Sequence, residues 1–242
     1  EAYRGESAAA VEHFTAGLHA CRGEETAFFA AQALVGLGAM ATANGDLERG
    51  TAFLTEGLVR AREIVDPRLA SIMRGWCLSN LAVIARTSGD FALAREQLDQ
   101  ALAAARAANY TTGTLLALGD LGDIARDQGD ADRALDYYRE VLALGQQRPR
   151  TRVVVDVIEA VGIVAAAAGE AASAARLLGA AEALRERMGL RFRVRENQIA
   201  LAQALAACKA SLGEDRFTAA WAEGRRFTPS GAVAAALAPL AP

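Results

Sequence analysis

Lysine is nearly absent from this chain: of 26 basic residues among 242, Lys209 alone is a lysine. That excludes a phosphate-binding loop of the form Gly-x-x-x-x-Gly-Lys-Ser/Thr, whose lysine must follow a glycine, whereas Lys209 follows Cys208. Proline is also scarce, at 5 residues, and aromatics make up only 6%, so there is little to break a helix and little surface for stacking bases. Three cysteines, Cys21, Cys77 and Cys208, are odd in number and far apart. A disulfide framework or a zinc site built from them is excluded, and they are expected as small packed residues in a reducing cytosol. The two histidines, His13 and His19, are six residues apart on one expected helix, about 240° around its axis at about 100° per residue. They cannot share a metal from that helix and are expected at the surface. No apolar run reaches the roughly 18 residues of a membrane span. Neither Gly-x-Ser-x-Gly nor His-Glu-x-x-His occurs. No catalytic residue, cofactor or metal is therefore assigned.

Charge excludes a further class. The formal net charge of −3 provides no basic footprint, so direct nucleic-acid contact is not expected. Two arginine groups, Arg148-Pro149-Arg150-Thr151-Arg152 and the cluster from Arg185 to Arg195, each follow an expected helix. Positive charge is favoured at helix C-termini, so both are read as solvated helix ends.

What is abundant is alanine and leucine, within a 52% hydrophobic composition, and a recurring dipeptide. Glycine followed by Asp or Glu stands at Gly5-Glu6, Gly45-Asp46, Gly89-Asp90, Gly129-Asp130, Gly169-Glu170 and Gly213-Glu214, at intervals of 40, 44, 40, 40 and 44 residues. Such a period marks a repeat array, in which each unit buries its apolar face against its neighbours. Ahead of the glycines stand Leu34, Leu37, Gly38, Ala41; Leu78, Leu81, Ala82, Ala85; Leu118, Leu121, Gly122, Ala125; and Ile158, Val161, Gly162, Ala165. That i, i+3, i+4, i+7 spacing is one stripe of a helix. Behind them come Ala10, Phe14, Gly17; Gly50, Leu54, Gly57; Ala94, Leu98, Ala101; Ala134, Tyr138, Val141; and Ala174, Leu178, Ala181. These share one face of a second helix. Small residues at minus seven and plus five let the two backbones approach, and the bulky residue at plus nine fills the groove beside them. The glycine ends the first helix in a left-handed cap and the acid starts the second.

The pattern Leu-x-x-Leu-Gly-x-x-Ala, then Gly-Asp, then Ala four residues after the acid, resembles the tetratricopeptide repeat over nearly the whole chain. The resemblance implies an all-α fold, a right-handed superhelical solenoid of antiparallel helix hairpins. A second likeness lies in the last third. The run Arg176-Leu177-Leu178-Gly179-Ala180-Ala181-Glu182-Ala183-Leu184-Arg185-Glu186-Arg187, then Leu212-Gly213-Glu214, Phe217 and Ala220-Trp221-Ala222-Glu223-Gly224, resembles the closing segment of LuxR-type and related multidomain bacterial regulators. In those, an ATPase domain precedes a helical-repeat sensor and a DNA-binding domain stands at either end. The implied role is a non-catalytic sensor or interaction module of a cytoplasmic transcriptional regulator. Its partners would be a protein or small-molecule effector and the other domains of its own chain. The alternative is a stand-alone scaffold that binds a peptide without DNA-linked output.

The expected organisation runs in three parts: residues 1–23 as the second helix of a truncated repeat, 24–188 as four hairpins, and 189–242 as a degenerate capping hairpin with a short C-terminal helix. Because the chain opens half-way through a hairpin, a fragment of a longer protein is expected. The extra residues of one 44-residue interval fall around Ile64-Val65-Asp66-Pro67, where Pro67 suits a first helical turn, and those of the other around residues 187–195. In the last unit Lys209 and Arg225 replace small residues, as a solvated cap requires. Beyond it, Thr228-Pro229-Ser230 restarts an apolar helix expected to pack on the last hairpin.

In tetratricopeptide arrays the first helices line the concave side. Carried onto this chain, the flanks of the packing stripe are Val35, Gly36, Ala39, Thr42; Ser79, Asn80, Val83, Arg86; Gly119, Asp120, Asp123, Arg126; and Glu159, Ala160, Ile163, Ala166, with Trp76 and Asp156 adjoining. The polar members, Trp76, Asn80, Arg86, Asp120, Asp123, Arg126, Asp156 and Glu159, form the candidate ligand or partner site. Trp76 offers stacking area, the carboxylates select donors and the arginines hold anions. The competing reading makes the same charges a mutually paired helix face.

Overall fold

The computed structural model describes residues 2–21, 23, 26–146, 151–190 and 195–238. Arg148, Pro149 and Arg150 of the first arginine group and residues 191–194 of the second lie outside the described residues, as do Pro239 and Pro242. Among the described residues there are twelve helices and no strand. They are α1 (Ala2–Ala20), α2 (Ala27–Ala43), α3 (Leu47–Arg62), α4 (Pro67–Thr87), α5 (Phe91–Ala107) and α6 (Thr111–Asp127). There follow α7 (Ala131–Gly145), α8 (Arg152–Ala167), α9 (Ala171–Met188), α10 (Arg195–Leu212), α11 (Glu214–Arg225) and α12 (Pro229–Leu237). The chain divides into two compact units, Glu1–Asp120 and Leu121–Pro242, with the boundary inside α6.

The helix breaks follow from the dipeptide. Gly45, Gly89, Gly129, Gly169 and Gly213 all have φ between 74° and 85°, a region closed to most L-residues and open to glycine. Asp46, Asp90 and Asp130 then cap the next helix, each accepting from the backbone N–H three residues on, of Arg49, Leu93 and Arg133 at 3.0–3.1 Å. A cap of this kind is worth about 1 kcal/mol. Glu170 makes no such bond. Gly5 departs from the expectation: α1 runs straight through Gly5-Glu6. Glycine permits a break without imposing one, and the helix continues across it.

In the first unit α1 lies on α2, α2 pairs with α3, α4 lies against α2 and α3, and α5 pairs with α4. Gly38 sits where a Cβ would stand 2.6 Å from Leu54 Cγ and 3.3 Å from the Gly50 carbonyl, which is the expected meeting of the minus-seven, plus-five and plus-nine positions. Pro67 opens α4 behind Asp66, whose carboxylate accepts from Arg68 N and Leu69 N. Cys77 is fully buried with Leu54, Leu81 and Ile84. Its thiol is pushed up to about 12 by burial, so it stays protonated and unreactive. His13 and His19 are both exposed on α1.

The second unit is built around α8. Its residues Val153, Val154, Val155, Val157, Ile158 and Val161 to Ala165 are all buried, so most of α8 is covered, and Arg152 and Asp156 form its one partly exposed polar edge. The covers are α7, α9, α10 and α12. Each fully buried Val or Ile there contributes about 1.5–3 kcal/mol relative to exposure. Gly122 and Gly162 repeat the seam, where a Cβ would overlap Tyr138 Cε1 at 2.4 Å and Leu178 Cδ2 at 2.9 Å. Along α9 and α11 the approach is backbone to backbone: a Cβ on Gly179 would stand 2.5 Å from the Trp221 carbonyl oxygen, and one on Gly224 would overlap the Arg176 carbonyl. The apolar C-terminal helix packs on α7, α8 and α9, the preceding hairpin, where the last hairpin was expected. The reason is the bare apolar side of α8, which α10 and α11 leave to be closed.

Candidate functional site

The eight predicted residues fall into two groups, one in each unit. In the first unit, Trp76 is half-buried and packs on both neighbouring apolar clusters, beside Phe28, Ile64, Ile72, Leu47 and Leu58. Its ring lies 6.3 Å from that of Tyr110, tilted by 50°. Asn80 is half-exposed and returns its side-chain N–H to the Trp76 carbonyl at 2.8 Å, an intrahelical bond. Arg86 is buried at 8% exposure in the last turn of α4, and Asp120 is half-exposed on α6. Around these, Gly36, Ala39 and Thr42 on α2 and Ser79 and Val83 on α4 are also half-exposed. The packing stripe beside them, Leu34, Leu37, Leu78 and Leu81, is buried.

The second group is occupied internally. Asp123 is 7% exposed. Its Oδ1 accepts from Tyr138 Oη at 2.7 Å and Arg126 Nη1 at 3.1 Å, and its Oδ2 accepts from Asn197 Nδ2 at 2.9 Å. Arg126 also donates through Nη2 to Asn197 Oδ1 at 2.8 Å and to Asp127 Oδ1 at 2.9 Å. Burial opposes the guanidinium charge, but Asp123, Tyr138 and Asp127 outweigh it and hold the Arg126 pKa above its ordinary value. Each residue is thus satisfied by the others. Hydrogen bonds to charged groups of this kind are worth about 1.5–3 kcal/mol, and the cluster ties the end of α6 to α7 and α10.

Asp156 pairs with Arg185 Nη1 and, at 3.8 Å, with Arg152 Nε. Burial raises the Asp156 pKa, the two arginines lower it, Glu159 raises it further, and the net direction is upward. Glu159 is 4% exposed and Arg185 1%. Along α8, Glu159, Ala160 and Ile163 are buried against the neighbouring helices, while Asp156 and Ala166 remain half-exposed. Asp123 likewise is a buried acceptor and not a solvent-facing one.

Sequence reasoning missed Tyr138, Asn197 and Arg185 as polar partners. Tyr138 was read only as the groove filler at plus nine, yet its hydroxyl reaches the residue next to the glycine it covers. Arg185 was read as a solvated helix end and proves to be among the largest fully buried side chains. Asn197 lies 71 and 74 residues from its partners and carries no local signal. The chain singled out in the last third, from Arg176 to Gly224, is explained by packing. Leu178 fills the space beside Gly162, Gly179 and Gly224 bring α9 and α11 into backbone contact, and Arg225 holds Glu186 across them at 2.6 and 3.1 Å.

Residues 74–147 match the tetratricopeptide repeat family, which supports a tetratricopeptide-repeat domain of the protein-interaction class. No curated protein sequence matches the chain. Among solved structures, it is similar to the crystal structure of BtubC (BKLC) from P. vanneervenii, with a TM-score of 0.61 and 18% identity, covering 92% of this chain and 88% of that one. At that identity the likeness speaks for the fold alone, an all-α tetratricopeptide-like arrangement of helix hairpins. No helix among the described residues is long and apolar enough to cross a membrane.

Proposed function

We propose that this chain is the sensing and interaction module of a larger cytoplasmic bacterial transcriptional regulator of the LuxR or ATPase-linked type, performing no chemistry of its own. The observation that carries the reading is the face of α2 and α4, where Gly36, Ala39, Thr42, Ser79, Asn80 and Val83 stand half-exposed beside a fully buried stripe. Ala39, Ser79 and Val83 are small and uncharged and leave room for another molecule's surface, whereas Gly36 is covered by the Phe14 ring and Thr42 Oγ1 bonds the Gly38 carbonyl. A partner segment or effector seated there, with Trp76, Asn80 and Asp120 as its polar and aromatic contacts, would favour one state of the module over another. The bias would pass to the remaining domains of the same protein. Asp123, Arg126, Asp156 and Glu159 serve this reading as struts of the second unit and not as contacts. The regulator context rests on the likeness of the segment from Arg176 to Gly224.

The test has two arms. A metabolite library screened by thermal shift, with hits measured by isothermal titration, is expected to yield a ligand whose binding weakens at least tenfold in Asn80→Ala or Asp120→Ala. A hit that binds both variants as tightly as the parent refutes the face. Transcript profiling of cells carrying either variant in the full-length protein is expected to change a defined set of genes. An unchanged profile, with the ligand still bound, refutes the regulator reading and leaves a scaffold.

A further inference from the structure

The turn between α3 and α4 carries the extra residues around Ile64-Val65-Asp66-Pro67, and the fold uses them to hold an apolar side chain out in solvent. Val65 is 84% exposed. The turn beneath it is firmly built. Asp66 Oδ1 accepts from Arg68 N and Leu69 N at 2.8 and 3.3 Å, Pro67 starts α4, and Glu63 pairs with Arg60 at 3.0 Å. Ile64 packs on Ala31, Ala61 and Met73, and on the same cluster lie Phe28, Ile72 and Trp76, all half-buried. Phe28 meets the exposed ring of Phe29 edge-on at 5.5 Å. Arg68 donates Nε to the Ala108 carbonyl and so ties this turn to the one before α6. One exposed aliphatic residue needs no explanation, but a partly open set around a rigid turn does. Its rim is basic. Arg62, Arg68 and Arg106 are exposed about the two turns, whereas the acids of the first are engaged, Glu63 by Arg60 and Asp66 by the backbone of α4. This positive rim stands in a chain whose formal net charge is −3.

We infer that the edge formed by the α3–α4 turn and its apolar neighbours docks an acidic segment of a partner protein, one that sets large apolar side chains between aspartates or glutamates. Complementary charge names the acids, since the arginines of the rim attract carboxylates, and such pairs steer encounter and fix orientation more than they tighten the complex. Burial names the apolar residues and the kind of molecule. Ile64, Ile72 and Trp76 are half-buried, so a partner must send side chains in to reach them, which a protein segment does and a flat lipid surface does not. A turn already held by its cap, its proline and its ion pair loses little freedom on binding, so Val65 is presented ready to be covered. The edge adjoins the face of α2 and α4 at Trp76 but uses other side chains, and it stands whether or not that face takes an effector.

Random peptides displayed on phage and selected on the full chain test it. The enriched sequences are expected to be acidic and to carry large apolar residues. The commonest of them, made with a fluorescein label, is expected to bind the parent by anisotropy, at least tenfold more weakly in Val65→Asp and at least threefold more weakly in Arg62→Glu. Both residues are exposed, so far-UV circular dichroism should stay that of the parent. Raising the ionic strength from about 0.05 to about 0.5 M should weaken the peptide severalfold, because charges at a surface are screened. Enrichment no greater than on the Val65→Asp chain overturns the docking edge. Enriched peptides that are basic or uncharged overturn the acidic partner. A peptide indifferent to Val65→Asp but weakened by Asn80→Ala belongs to the face of α2 and α4 and overturns the inference. Phosphatidylserine vesicles that sediment the parent and not Val65→Asp overturn the protein partner in favour of a membrane. A dimer by light scattering that Val65→Asp dissolves overturns it in favour of a second copy of the chain.

Discussion

Replacing Gly224 by alanine puts the sharpest strain on this fold. A Cβ there would stand 2.6 Å from the Arg176 carbonyl carbon and 2.8 Å from its Cα, with the carbonyl oxygen nearer still. The atoms it meets are backbone, so no rotamer change relieves the overlap, and α9 and α11 must part by roughly 1 Å or more. A radial gap of about 0.5–1 Å forfeits a quarter to a half of each dispersion contact across the seam. Those contacts include Phe217, Ala220, Ala174 and Ala175, all buried in one cluster. Overpacking costs about 1–3 kcal/mol and more where backbone must move, whereas alanine regains about 1 kcal/mol of helix propensity over glycine. With the cost at the upper end, about 3 kcal/mol, the net expectation is a loss of about 2 kcal/mol, on the order of 30-fold in the folding equilibrium. Urea unfolding in a Trp76→Phe background reads this directly, because Trp221 lies on α11, stacked 5.7 Å from Phe217, and reports on its own unit. Gly17→Ala is the control: nothing lies within 4 Å of its Cβ position, so far-UV circular dichroism should show a gain of up to about 1 kcal/mol. A Gly224→Ala chain as stable as the parent refutes the backbone seam.

Asp156→Ala removes the carboxylate facing buried Arg185 and should cost about 2–3 kcal/mol by urea unfolding, the low end for a broken buried pair because the Asp156 side chain is 33% exposed. The double variant Asp156→Leu, Arg185→Met should recover most of that loss. Because the Asp156 pKa is raised in the folded state, its contribution is present below its ordinary value of 3.8 and is lost as pH rises through the folded value. Asp156→Asn should flatten stability over that window, and an unchanged slope refutes the raised pKa. Glu170→Asp should stabilise by about 0.5–1 kcal/mol in thermal unfolding, by supplying the cap that Asp46, Asp90 and Asp130 make and Glu170 does not. Cys77 should resist a thiol reagent in the native protein while half-buried Cys21 reacts, and equal rates would refute its burial.

The hairpins were legible because their determinants are local. A glycine that must adopt positive φ, an acid one residue on, and small residues at minus seven and plus five all act within one helix pair. The polar partners were not legible, since Asp123 meets Asn197 and Asp156 meets Arg185 only after different helices have packed in register. Periodicity places a residue on a face without stating what that face meets. The misreading of Glu159 had a visible signal. Val153-Val154-Val155 and Ile163-Val164 crowd α8 with apolar residues, which leaves Glu159 on a helix that is mostly covered. Gly5-Glu6 shows the limit of a dipeptide rule: the same two residues punctuate one site and lie inside a helix at another.

The conspicuous charges of this chain therefore point away from recognition. Asp123, Arg126, Asp156 and Arg185 stood out because charged residues on a packing face are costly, and that same cost is why they are paired internally. A charge that has found three partners within its own unit has little left to offer a ligand without breaking them. The proposed binding face draws instead on residues whose removal costs the fold little. On α2 and α4 these are the small half-exposed flanks.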